Sequence, residues 1–392
     1  MSRSSHTWDA ARDVATELGA GRLGGAVDVP LAESAGRRLA SDVRAPAPAP
    51  ADDVSAMDGW VVTGDPPWRL GPAVPMGSAP GPGLADGHAR PVSTGGAVPP
   101  GADAVLRSED GRVDSDGRLH GARPDAGRDI RRRAEELAVG DRLALAGDAL
   151  TPARIALLAI AGVDAVAVRA RPRCAVLVTG DEVVGSGLPG AGTVRDAYTP
   201  SVPALVAGLG GRVVVAERVG DRAGALEARL RDLADTVDVI VTTGGTARGA
   251  GDRVREAVGA SGGRLHVTGV DLRPGHPTLI ATTGAGVPLF GLPGNPLAAF
   301  VAMASFLAPF VRAALGAAPP GIRPLSDAID VRPHDRDTLV VPFRRVDGRI
   351  EPSRWRGAAM LRGLADADGL LVVGPAGTGV RELAVPWGHP AD

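Results

Sequence analysis

Between Arg173 and Leu315 short apolar runs without polar alternation recur, each followed by a glycine-rich turn and a stretch of helical spacing. Runs 174–178, 213–216, 239–241 and 288–290 read as strands covered on both faces, and 202–209, 223–233 and 252–258 as the helices between them. This alternation constrains the segment to a doubly wound α/β domain with a mostly parallel sheet. Such sheets bind ligands where the carboxyl ends of the strands meet the following turns.

The flanking text differs. Residues 7–20 have helical spacing, 31–44 reads as a second helix, and the alternating Ala and Pro of 45–50 as a stiff, extended connector. From 52 to 141, short runs such as Trp60-Val61-Val62 lie between Pro/Gly clusters, which points to a β-rich domain. Thr151 and Pro152 open a helix through Ile160, with Thr151 as N-cap, expected to pack back on the N-terminal helices. After Pro319-Pro320 strand text returns. The expected organisation is a discontinuous helical linker domain (1–44 plus 142–171), a β-rich domain (45–141), the α/β domain (172–318) and a small C-terminal β domain (319–392).

Composition removes several function classes. All 43 basic residues are arginine, against 45 acidic ones, so a Schiff-base lysine and the lysine of a Walker-type phosphate loop are excluded. A net charge of -2 and 3% aromatics leave no footprint for nucleic acid. Cys174, the single cysteine, cannot form an internal disulfide, and no apolar run reaches the roughly 18 residues of a membrane span. The expectation is a soluble, cytoplasmic protein with no membrane contact.

The chemistry gathers at strand ends. Run 174–178 leads into Thr179-Gly180-Asp181-Glu182, Asp196 follows a glycine loop, Asp221 follows the second strand, and 239–241 leads through Gly244, Gly245 and Gly249 to Asp252. One such acid is ordinarily a helix cap; several beside a glycine loop favour a phosphate or pyrophosphate site. Carboxylates facing a phosphorylated ligand need a hard cation between them, which predicts Mg²⁺. The glycine pattern at 185–190 and the Gly-x-Ser-x-Gly at 259–263 read as loops, because neither follows a strand directly. Arg131-Arg132-Arg133 is either an oxyanion grip or a solvated face, and the seven histidines show no metal spacing.

Six ordered words carry a resemblance: 55–60 (SAMDGW), 93–105 (STG to GADAV), 130–136 (IRRRAEE), 179–182 (TGDE), 243–252 (TGG to D) and 291–296 (GLPGNP). In this order they resemble the molybdopterin molybdenumtransferases, the MoeA and gephyrin E-domain family, over nearly the whole chain. The resemblance implies a homodimer of four subdomains whose cleft lies between the α/β domain of one subunit and the β domain of the other. It implies insertion of molybdate into adenylylated molybdopterin with release of AMP, a divalent cation, and a molybdopterin adenylyltransferase as a possible partner. By motif, the catalytic set is Asp58, acting from the partner subunit, with Thr94, Glu136, Glu182 and Asp252. The cofactor-binding set is Gly180, Asp181, Gly244, Gly245, Gly249, Arg273, His276, Pro293, Gly294, Asn295 and Pro296. The metal set is Glu182, Asp196, Asp221 and Asp252.

The chain departs from the family words at several positions. Tyr198 stands where a compact amide is usual, Arg222 where a second acid is usual, Ala247 and Ala298 where hydroxyls are usual, and Arg273 and His276 replace two lysines. A chain without lysine accounts for Arg273 by composition; His276 has no such account. These departures motivate an alternative, a non-catalytic paralogue that binds molybdopterin or its adenylate as carrier or scaffold. Tungstate in place of molybdate is a third reading.

Overall fold

The computed structural model describes residues 5–246, 253–325, 329–375 and 378–385. The chain divides into two compact bodies, residues 28–168 and residues 1–27 with 169–392.

Within 28–168 a six-stranded sheet runs in the order Ala104–Arg107, Gly59–Val62, His88–Val92, Trp68–Leu70, Arg118–Gly121 and Gly111–Val113. Trp68, on one of its strands, is fully buried, and its indole N–H donates to the Gly64 carbonyl at 3.1 Å. The strands of this sheet all fall inside 45–141, the stretch expected to be β-rich, while the compact body itself extends over 28–168. Helix Pro152–Ile160 also forms, with the Thr151 hydroxyl accepting from the Arg154 amide at 3.3 Å. The expected helix at 31–44 does not. Leu31–Glu33 is one 3-10 turn and Val43–Arg44 a strand paired with Arg142–Ala144. Gly36 sits at φ +71° and donates to the Leu150 carbonyl, and Leu39 donates to the Asp148 carbonyl, so these amides bond to a distant loop instead of a helical turn.

In the other body, helix α1 (Trp8–Ala20) leads to strand β1 (Arg173–Thr179), α2 (Val202–Gly208), β2 (Arg212–Val219), α3 (Ala225–Asp232), β3 (Val239–Thr243) and α4 (Arg253–Ala260). Strands β4 (Arg264–Val267), β5 (Leu279–Thr282) and β6 (Pro288–Leu292) follow, then α5 (Pro296–Ala302), a π-turn Met303–Leu307 and α6 (Ala308–Ala314). The sheet order is β2-β1-β3-β6-β5-β4. The first four strands are parallel, but β2 is an edge strand whose alternate residues are exposed, so 213–216 is not covered on both faces as expected; β5 and β4 add antiparallel neighbours that the pattern reading missed.

Helix α1 belongs to this body, correcting the expectation that it meets the helix after Thr151. It lies on α6, where a Cβ at Gly19 would come within 2.3 Å of the Phe310 carbonyl oxygen, so only glycine permits the approach. The continuous helical stretch Pro296–Ala314 is long and apolar enough to cross a membrane, against the sequence expectation. However, 89% of its apolar window is buried in the structure, as a core helix apolar all round demands. A second sheet in this body joins Leu272–Arg273, Thr338–Val346, Gly369–Val373, Val380–Leu383 and Ile322–Leu325. Because Leu272–Arg273 is one of its strands, Arg273 is held beside Asp337 at the foot of Thr338–Val346.

Candidate active site

Strands β1 and β3 lie side by side, yet the chain leaves β1 toward β2 on one flank and reaches β3 on the other. That reversal opens a crevice beyond their carboxyl ends, the usual ligand position in an open parallel sheet. Thr179 and Thr243 close the two strands; the Thr179 hydroxyl donates to the Thr243 carbonyl at 2.8 Å. The Thr243 hydroxyl is buried and has no hydrogen-bond partner among the described residues. Sequence reasoning passed over both threonines, although each is the last strand residue before a glycine.

The glycines that follow are required by geometry. Gly180 sits at φ +119°, and a Cβ there would lie 2.4 Å from Glu182 Oε2, because the Glu182 carboxylate folds over this turn. Gly244, at φ +84°, would place a Cβ 2.9 Å from Thr179 Oγ1. Gly245 shares the left-handed conformation, at φ +62°.

Among the described residues, three cavities lie at or beside this crevice. One of about 310 Å³ is lined by Thr179, Glu182, Asp196, Tyr198, Thr243 and Asn295, among others. The Asp196 carboxylate accepts from the amides of Tyr198 and Thr199 through Oδ1, at 2.8 and 3.0 Å. Burial pushes this carboxyl up, but hydrogen bonds from Thr199 and the Tyr198 amide outweigh it and hold it below the usual carboxylate range. The Tyr198 hydroxyl donates to the Gly294 carbonyl at 2.8 Å, and burial, followed by the Asp196 charge, pushes the phenol well above its ordinary range.

A neighbouring cavity of about 340 Å³ shares Thr179 and is lined by Asp221, Arg222, Gly224, Arg253 and Glu256. Asp181 and Asp221 hold each other's loops: the Asp181 amide donates to Asp221 Oδ2 at 3.2 Å and the Asp221 amide to Asp181 Oδ1 at 3.0 Å. Arg253 lies 3.5 Å from Asp221 Oδ1.

The largest cavity, about 750 Å³, is lined by Ser5, Arg273, His276, Asn295, Arg336 and Asp337, with Pro293 and Ala298. Arg273 Nε is hydrogen-bonded to Asp337. His276 Nδ1 lies 2.7 Å from the Val270 carbonyl, which can only accept, so Nδ1 carries the hydrogen and Nε2 is the other face of the ring. Ser5 and Arg336 had no sequence signal; folding alone brings them here.

The structure thus gathers Glu182, Asp196, Gly244, Gly294, Asn295 and Pro296 around one cavity, Asp221 on its neighbour, and Arg273, His276 and Pro293 on the third, while Gly180, Asp181 and Gly245 line none of the three. Ala247, Gly249 and Asp252 lie outside the described residues. Among the described residues no group of three or more His, Cys, Asp or Glu forms a ready metal cage. Glu182 and Asp196 on one cavity nonetheless suit Mg²⁺, which commonly takes one or two carboxylates and completes its shell with water and phosphate.

In the β-rich body, Asp58 Oδ1 accepts from the Thr94 amide at 2.7 Å and its hydroxyl at 3.2 Å, so two predicted residues meet. Glu136 is exposed, 3.5 Å from Arg131. The arginine run grips its own body. Arg132 pairs with Asp53 at 2.7 Å, and Arg133 donates to the Ala51 carbonyl and, through its amide, to Asp53.

A family profile described as MoeA N-terminal region (domain I and II) matches residues 7–162, and one described as probable molybdopterin binding domain matches residues 175–313. Molybdopterin molybdenumtransferase 2 of Mycobacterium tuberculosis is 34% identical over 368 residues, covering 88% of this chain and 90% of that protein. The chain belongs to the molybdopterin molybdenumtransferase family. A second member, from Nostoc sp. strain PCC 7120, is 31% identical over 342 residues, 84% of this chain and 76% of that one. The solved molybdopterin biosynthesis MoeA protein of Pyrococcus horikoshii shares the family fold, with a TM-score of 0.82 at 23% identity over 98% of this chain and 100% of that one. The six sequence words therefore identified the family correctly; residues 175–313 line all of the 340 Å³ cavity and most of the other two, which are completed by Ser5, Arg336, Asp337 and Ala358 in one and Ala359 in the other.

Proposed function

We propose that this chain inserts molybdate into adenylylated molybdopterin and releases AMP, with Mg²⁺ as the divalent cation. One observation carries the reading: a carboxylate- and glycine-lined cavity and a cavity holding Arg273 and His276 meet at Asn295. Membership of the transferase family over most of the chain supports it, and the same membership disfavours a non-catalytic carrier.

The larger cavity suits molybdate, with Arg273 and His276 Nε2 as cationic or hydrogen-bonding groups. Gly244 and Gly294, on the wall of the smaller cavity, add no side chains there, which lets a pyrophosphate approach the backbone closely. Glu182 and Asp196 would hold Mg²⁺, whose role is to neutralise charge developing on the phosphoryl oxygens. Attack by a molybdate oxygen on the adenylate phosphorus breaks the anhydride to molybdopterin phosphate. That oxygen ends on AMP, a second leaves as water with the two dithiolene protons, and the dithiolene sulfurs take the molybdenum.

The test is AMP release by purified protein given adenylylated molybdopterin, molybdate and Mg²⁺. Glu182→Gln is expected to slow release by about 10- to 100-fold, as loss of a metal-holding group does. No AMP from the wild-type protein would overturn the reading. A homodimer, transient association with an adenylyltransferase that supplies the substrate, and a cytoplasmic location complete the proposal; sedimentation, co-purification and cell fractionation test them in turn.

A further inference from the structure

Among the described residues Asn295 alone lines both the 310 Å³ and the 750 Å³ cavity. It stands at the N-cap of α5, yet its side chain makes no capping hydrogen bond, so the amide group is not consumed by the helix. The peptide before it is anchored from another element. Gly294 lies against Gly244, with a Cβ there 3.6 Å from the Gly244 Cα, and carries little steric restraint of its own. Its carbonyl instead accepts from the hydroxyl of Tyr198 at 2.8 Å.

Tyr198 is itself rigidly held. It is 6% exposed, its amide donates to Asp196 at 2.8 Å, and its carbonyl accepts from Ser201 and Val202 at 3.1 and 2.9 Å as α2 begins. One aromatic side chain therefore joins the loop after β1 to the turn after β6, across the end of β3.

We propose that Tyr198 is a positioning residue for molybdate transfer: its bond to the Gly294 carbonyl aims Asn295 so that its amide reaches from the oxyanion cavity into the cavity of the adenylylated substrate. This rests on the proposed function and assigns a task to a residue that departs from the family words. The phenol keeps the length that a short amide would lack. Asn295 offers an N–H donor to an oxyanion and a carbonyl acceptor to the other side.

The experiment compares wild type, Tyr198→Phe, Asn295→Ala and the double variant, measuring AMP release against molybdate concentration at saturating adenylylated molybdopterin, and AMP affinity separately. Tyr198→Phe keeps the ring and removes only the hydroxyl. It is expected to raise the KM for molybdate about fivefold, the effect of one net hydrogen bond, with AMP affinity unchanged. Asn295→Ala should do at least as much, and the double variant should add nothing further, because both act through one peptide. Additive effects, or a molybdate KM unchanged in Tyr198→Phe, would overturn the proposal even if thermal stability falls. Should wild type release no AMP, the underlying reading fails separately, and equilibrium binding of molybdate alone to the four proteins decides: weakened, non-additive binding supports the coupling and equal binding overturns it.

Discussion

Asp238, just before β3, accepts the Arg173 amide at 2.7 Å and its Nε and Nη2 at 3.2 and 3.0 Å, clamping the start of β1 to the start of β3. Burial pushes the carboxyl up, but the side-chain and backbone hydrogen bonds and the charge of Arg173 leave it below the usual range. With the folded value depressed, its stabilisation is fully present above the unfolded value of about 4 and is lost as pH falls through the folded one. Asp238→Asn should therefore lower Tm at neutral pH, and the difference from wild type should shrink below about pH 4; equal differences at pH 7 and pH 3 would refute this. Asp238 precedes its strand, where the sequence reading looked for no acid, while Asp196 and Asp221 follow a glycine loop and a strand. The strand-end acids all look alike as text, and only their neighbours separate a cap, a loop brace and a cavity carboxylate.

At the scale of elements, the π-turn between α5 and α6 follows from a residue two positions beyond it. Pro309 has no N–H to offer the Ser305 carbonyl four residues back, and Arg12 of α1 supplies one, with Nη1 at 3.0 Å and Nη2 on the Pro320 carbonyl at 2.7 Å. The Ser305 hydroxyl accepts the Trp8 indole N–H at 2.9 Å, and the Arg12 guanidinium covers the same indole at 5.4 Å. Burial pushes Arg12 down to about 10, so it remains a cation at neutral pH. Arg12→Met should destabilise the protein by about 3 kcal/mol, since it leaves buried carbonyls unsatisfied. Adding Pro309→Ala should recover part of that loss by restoring a donor for Ser305. Denaturant unfolding of the two single variants and the double variant measures the coupling, and strict additivity would remove this account of the π-turn. Spacing alone marked 7–20 as a helix; that it docks on α6 depends on Gly19 and Arg12 meeting a surface nearly 300 residues away in sequence.

For the whole molecule, the proposed dimer makes a distinct prediction. Asp58, bound to Thr94, belongs to the β-rich body, and Glu182 to the α/β body. If each cleft takes Asp58 from one subunit and Glu182 from the other, Asp58→Ala and Glu182→Gln proteins should each keep about a tenth of wild-type activity or less. Unfolding and refolding them together should then restore about a quarter of wild-type AMP release, because half the dimers are mixed and each has one intact cleft. No recovery would place both residues in the cleft of a single subunit.

The sequence by itself determined the parallel core, the β-rich segment and the family, because unalternated apolar runs, Pro/Gly punctuation and ordered words are local properties that survive in text. It also marked the glycines at 180 and 244, whose left-handed backbones tolerate little else. The failed helix at 31–44, the docking of α1, the antiparallel strands β4 and β5 and the task of Tyr198 were decided by tertiary structure alone. Each depends on which distant group satisfies a backbone or side-chain hydrogen bond, and that partner is fixed only once the chain has packed.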